Sequence, residues 1–218
     1  MKELILKEIA LVVHPSTYCL MVLGALVLIP QWPYMIVLLY GILIAFFNGM
    51  NAREMRDFAY SFSLPISRAG MVRARIFVMI GIETIMLVIM LICVCLRIPL
   101  GINGIDQPLV GMPANLALIG FSLVTFALFN AVFFPLYYRD PSKVGIPFLI
   151  ACVVAMVFGI LFEAIPFLPF TLCGQIAGTG FAYLDVQLVV LGIGIVAFIF
   201  GNIIATKRSI ATFKTFDA

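Results

Sequence analysis

Charges divide this sequence into long apolar stretches, and that division constrains the fold more than any other feature. The stretches run from Ser16 to Ile29, Tyr34 to Met50, Ile76 to Cys95, Leu116 to Tyr137, Val144 to Leu161 and Val186 to Ala205. Within them only Glu83 is charged. A helix of about 20 apolar residues, in a range of roughly 17–25, crosses the hydrocarbon of a bilayer, so the first stretch is short for the task. Backbone groups in lipid must be satisfied inside the protein, and continuous apolar runs of this length read as helices. Composition agrees: 64% of the 218 residues are hydrophobic and 11% are charged, where a soluble domain carries about 25% charged residues. A soluble enzyme, a disordered chain and a disulfide scaffold are excluded. The expected fold is all-α: a polytopic membrane protein with six transmembrane helices, forming a single transmembrane domain over residues 1–218.

The basic residues orient it. Cytoplasmic loops hold an excess of Lys and Arg. With the N-terminus inside, Lys2, Lys7, Arg53, Arg56, Arg68, Arg73, Arg75, Arg139, Lys143, Lys207, Arg208 and Lys214 are cytoplasmic, and only Arg97 is outside. The expected location is the cell (inner or plasma) membrane, with both termini cytoplasmic. Asp106, Glu163 and Asp185 fall in or near the outer loops. A net charge of +3 leaves no basic footprint for nucleic acid.

Residues 1–14 precede the first stretch. At helical spacing Glu3, Lys7, Ala10 and His14 share one stripe, with Leu4, Ile5, Ile9 and Val12 elsewhere on the cylinder. Two readings stand: the frayed start of the first span, or an amphipathic helix along the inner surface that bends at Pro15. The acids among its bases and the lack of a small-residue cleavage site predict that it is retained.

Little here supports catalysis. His14 is the single histidine, so an H-E-x-x-H zinc site is excluded, and no G-x-x-x-x-G-K-[ST] loop is present to bind ATP. Cys19, Cys93, Cys95, Cys152 and Cys173 lack the paired spacing of a metal or disulfide framework and read as small apolar fillers. A transporter, channel or scaffold is expected, with no cofactor or metal in this chain.

The most informative segment is the cytoplasmic loop 51–75. Met55, Phe58, Ala59 and Phe62 stand at i, i+3, i+4 and i+7, which predicts a short helix with one apolar stripe. Arg53, Glu54, Arg56, Asp57 and Tyr60 make the remainder polar. Pro65 ends this helix, and Ser67 is placed to cap the next one. The helix either rests on lipid or docks into a partner groove.

The stretch Asp57 to Arg75, with Ser63-Leu64-Pro65-Ile66-Ser67-Arg68 at its centre, resembles the corresponding loop of ABC-2-type transporter permeases. Among these it is similar to small bacterial permeases that export amphipathic peptides, such as phenol-soluble-modulin exporters, and to lantibiotic and bacitracin self-protection systems. The resemblance implies a six-span subunit with an elbow helix at 1–14 and a coupling helix at Arg53 to Phe62. That helix would dock into a separate P-loop ATPase subunit, which holds ATP and Mg. Met55, Phe58 and Phe62 would fill the ATPase groove, Arg56 and Asp57 would make polar contacts, and Leu64-Pro65 would be a rigid turn. Arg68 would bridge to the ATPase or to lipid phosphate. It further implies a second permease subunit, identical or paralogous, and export of amphipathic or antimicrobial peptides or toxins.

Within the spans, Glu83 has two readings of equal weight: a pathway residue, or a hydrogen-bonded carboxyl that holds helices together. Asn48, Asn51 and Asn130 are its candidate partners. Glu163 and Asn130 complete the candidate pathway. The prolines and glycines of 162–185 suggest a re-entrant or outer-surface segment, against the alternative of an apolar loop. Gly41 and Gly49, and Gly192, Gly194 and Gly201, permit close helix approach. The competing functional readings are an ATP-independent carrier or channel and a peptide-sequestering immunity scaffold.

Overall fold

A computed structural model describes residues 2–30, 32–63, 66–102, 111–180 and 182–214, with the Ala59 side chain excepted. Leu64, Pro65 and Asp106 lie outside the described residues. The elements are helical throughout: α1 (Lys2–Leu11), α2 (Ser16–Val22) continuing as a 3-10 helix (Leu23–Leu28), α3 (Tyr34–Glu54), α4 (Asp57–Phe62), α5 (Arg68–Leu96), α6 (Leu116–Tyr137), α7 (Gly145–Glu163), a 3-10 turn (Ile165–Phe167), α8 (Thr171–Ile176) and α9 (Leu184–Lys214). Polar side chains cap the starts of two of them, α5 and α6. Ser67 accepts from the Gly70 amide at 3.1 Å, as its position predicts, and Asn115 accepts from the Leu118 amide at 2.9 Å.

Among the described residues, five helices are long and apolar enough to cross a membrane, and six if the bent pair Lys2–Leu11 and Ser16–Leu28 is one span. The pair bends by 93°. Ser16–Leu28 is about 22 Å long, against a hydrocarbon core of about 30 Å. The bend frees backbone groups, and α3 satisfies them. Asn51 donates to the carbonyls of Leu11 and Val12 at 3.1 and 3.0 Å, and the Asn48 side-chain oxygen accepts from the His14 amide at 2.9 Å. Asn48 and Asn51, expected as partners for Glu83, instead hold this corner.

Two further boundaries differ from the sequence reading. Arg53 and Glu54 belong to α3, so the helix expected over Arg53–Phe62 is split. α9 runs on to Lys214, because its basic end continues the helix beyond the apolar run.

α6 is the central helix, enclosed along most of its length, and its largest contact is with α9. Glycines allow that contact. A Cβ on Gly120 would lie 2.7 Å from the Val190 carbonyl oxygen, and one on Gly194 would collide with the Gly120 backbone. Gly192, by contrast, faces open space. α7 and α9 turn broad apolar faces outward, including Ile146, Leu149, Val153, Val157, Val189, Ile193, Val196 and Phe200. Faces of this size belong against lipid or another chain rather than water.

Contacts define two ends of the bundle. Lys7, Glu8, Asp57, Arg75, Tyr137, Tyr138 and Phe213 gather at one end. Val27, Tyr34, Arg97, Met112, Asn115, Glu163 and Gln187 lie at the other. Because Thr17 bonds Asn48 and Val27 bonds Arg97, Ser16–Leu28 runs between the ends beside α3 and α5.

Candidate functional site

The basic end is organised around Arg75, which lies two turns into α5. Its Nε donates to Glu8 Oε2 at 2.8 Å and its Nη2 to Glu8 Oε1 at 3.3 Å. Nη2 also bonds Asp57 Oδ2, and Nη1 donates to the Tyr137 hydroxyl at 3.2 Å. Lys7 Nζ reaches Asp57 Oδ1 and the Ser61 hydroxyl, each at 2.5 Å. Two carboxylates and two cations are thus withdrawn from solvent, with Glu8 and Asp57 both about 2% exposed. Such a group persists only when every charge is paired and hydrogen-bonded, since the desolvation of each ion costs several kcal/mol. The cluster ties α1, α4, α5 and α6 together.

Asp57 reaches the cluster because the chain turns sharply before it. α3 stops at Met55, and Arg56 takes the left-handed conformation at φ 50°, which costs a non-glycine residue about 1–2 kcal/mol. The turn breaks the register between Met55 and Phe58, so the residues expected on one stripe separate. Met55 points outward and is 62% exposed. Phe58 points inward, packing on Tyr137, Tyr138 and Phe213 with ring centroids 6.1, 6.3 and 5.7 Å away, and the Arg75 guanidinium lies 5.0 Å from its ring. Phe62 stacks on Phe213 at 6.1 Å beneath Arg68, yet keeps an open edge. The Asp57 carboxylate, expected to make polar contacts with a partner, is buried in the cluster. The outward surface here consists of Arg53, Glu54, Met55, Arg56, Tyr60 and Phe62. In the α6–α7 turn, hydrogen bonds from Ser142 and Lys143 hold the Asp140 carboxyl below its ordinary range.

Among the candidate pathway residues, Glu83 and Asn130 meet and Glu163 lies elsewhere. Asn130 donates to Glu83 Oε2 at 2.8 Å and to the Asn202 side-chain oxygen at 3.0 Å. Asn202 donates onward to the Phe198 carbonyl at 2.9 Å. This triad links α5, α6 and α9 and is almost wholly buried. Asn202 was missing from the sequence reading, although an asparagine inside an apolar run was a visible signal. Glu163 holds the opposite end, accepting the Met35 amide at the start of α3 at 3.0 Å and the Met112 amide at 2.7 Å. Gly111 makes this approach feasible: its φ is +112°, and a Cβ there would overlap Glu163 Oε2. Arg97 is fully buried at the same end, donating to the Val27 carbonyl at 2.6 Å and the Tyr34 hydroxyl at 2.8 Å. The one cation that breaks the charge asymmetry is therefore withdrawn from that surface.

Comparison with protein-family models, curated proteins and solved structures returns no match.

Proposed function

We propose that this chain is the membrane-spanning permease subunit of an ATP-driven exporter of the ABC-2 type. It crosses the membrane six times, with both termini and the α3–α5 turn cytoplasmic. A separate P-loop ATPase subunit holds ATP and Mg. The cargo class is amphipathic or antimicrobial peptides or toxins, and a second permease subunit completes the pathway.

The observation that carries this reading is the buried cluster of Lys7, Glu8, Asp57 and Arg75. A six-residue helix such as α4 transmits force only if it is fastened to the elements it must move. The cluster fastens it to α1, α5 and α6 through charged hydrogen bonds. The outward side of the same turn carries Met55, Tyr60 and Phe62 beside Arg53, Glu54 and Arg56. Apolar anchors rimmed by mixed charge suit a groove on a partner. ATP-driven closure of two ATPase subunits would push this surface, and the push would reach α5 and α6 through Arg75 and Tyr137.

The test is affinity purification of the intact protein from mild detergent with its co-purifying proteins identified. A P-loop ATPase retained by wild type and lost with the Met55→Asp/Tyr60→Asp variant supports the reading. No ATPase with intact, monodisperse wild type overturns it in favour of an ATP-independent carrier or channel, or a peptide-sequestering scaffold.

A further inference from the structure

A groove of about 460 Å³ lies between α5 and α9 near the basic end, a volume within the range of small-ligand sites. We propose that it binds one anionic phospholipid, with the phosphate held by Arg73 and Lys207 and an acyl chain along Ile80, Phe198 and Ile203. Both cations are exposed, and neither has an ion-pair partner among the described residues. Arg75, two residues from Arg73, is buried and fully engaged. α5 therefore commits one arginine to the interior and presents the other to the groove.

The groove's length suits a lipid chain. Along α5, Arg73 to Ile80 spans about 10 Å, and along α9, Lys207 to Phe198 spans about 13 Å. The charges lie at the basic end and the apolar wall leads toward Asn202, deep in the bundle. The groove opens sideways past exposed Ile199 and Ile203, the direction from which a bilayer lipid arrives. Basic pockets between spans on the cytoplasmic side select anionic headgroups. The guanidinium can take two phosphate oxygens, and the ammonium adds a point charge. This inference rests on α5 and α9 spanning the membrane and needs no ATPase partner.

Native mass spectrometry of the full chain, released from membranes of equal phosphatidylglycerol and phosphatidylcholine, tests it. Wild type is expected to retain one phosphatidylglycerol in preference to phosphatidylcholine. Arg73→Gln/Lys207→Gln should lower that retention about thirtyfold, while Arg73→Lys/Lys207→Arg should keep it. Removing two cations elsewhere at the same end, Arg139→Gln/Lys143→Gln, should leave it unchanged. Millimolar inorganic phosphate should not displace the lipid. Equal retention of both lipids, an equal loss in the Arg139/Lys143 variant, unchanged retention in Arg73→Gln/Lys207→Gln, or displacement by phosphate alone would each overturn the proposal. The measurement is made without ATPase, so failure to find a coupled ATPase and failure to find the lipid are separate results.

Discussion

Arg75 and Glu8 stand 67 positions apart in the chain and meet through two hydrogen bonds, at 2.8 and 3.3 Å, inside the basic end of the bundle. The pair fixes the α1 side of a corner whose other side is fixed by Asp57. Removing one member leaves an uncompensated buried charge, which costs about 3–5 kcal/mol. Arg75→Met and Glu8→Ala are each expected to lower the thermal midpoint in detergent sharply. The double variant should lose less than the sum of the two, because each single change already breaks the same pair.

The outward residue Met55 and the inward residue Phe58 predict different phenotypes. Phe58→Ala should destabilise the protein by about 3 kcal/mol, as expected for a large aromatic removed from a packed site. Met55→Ala should change stability by less than about 0.5 kcal/mol, as at other exposed positions. Thermal unfolding of both variants checks the assignment, and equal effects would contradict the inward turn at Asp57.

Glu83 is expected to tolerate Gln and resist Leu. A glutamine keeps an acceptor for the Asn130 amide, whereas leucine leaves Asn130 short of a partner, a loss of about 1–3 kcal/mol. Asn130→Ala should cost more than Asn202→Ala, since it takes a partner from two buried side chains, Glu83 and Asn202, whereas Asn202→Ala takes one from Asn130 alone. Unfolding midpoints of the four variants decide whether the triad holds the helices together.

Gly194→Leu should disrupt the α6–α9 contact, whereas Gly192→Leu should not, because the first meets the Gly120 backbone and the second meets open space. Forced overpacking of this kind costs about 1–3 kcal/mol or more. Yield of monodisperse protein and thermal midpoint are the measurements. At the other end, Gly111→Ala and Glu163→Gln should be non-additive, as both break the same approach.

The transmembrane arrangement is open to cysteine labelling in a background lacking the native cysteines. Arg53→Cys, Lys143→Cys and Arg208→Cys should react from the cytoplasmic side, and Pro99→Cys and Phe170→Cys from the outside. Lys2→Cys should label from the same side as Arg53→Cys, since Lys7 and Glu8 join Asp57 and Arg75 at that end; labelling from the opposite side would contradict the corner that α1 makes.

Much of the architecture was legible because lipid-like interiors demand uninterrupted apolar runs, and charges mark their limits. The limits of α6 were read to the residue, and the Ser67 cap follows from a serine placed before a helical pattern. The first run is short for a span and a bend at Pro15 is one of its two readings; it folds as a short α-helix and a short 3-10 helix after a 93° bend. Its length hinted at this, but the asparagines that hold the bend come from α3. The stripe Met55–Phe58–Phe62 failed as a single face because Arg56 adopts a left-handed conformation that composition does not signal.

By itself the sequence determined the helical class, the long apolar helices and the segregation of basic residues to one end of the bundle, since all three depend on local composition and spacing. Tertiary structure alone decided which polar groups face each other. Arg73 and Arg75 are alike in type and context, but two residues turn about 200° around a helix. One therefore faces an open groove and the other meets Glu8, Asp57 and Tyr137. Asn202 finds Asn130 at 72 residues' distance only because glycines let α6 and α9 close together. Periodicity shows which residues share a face; what that face meets is set by the packing of distant segments.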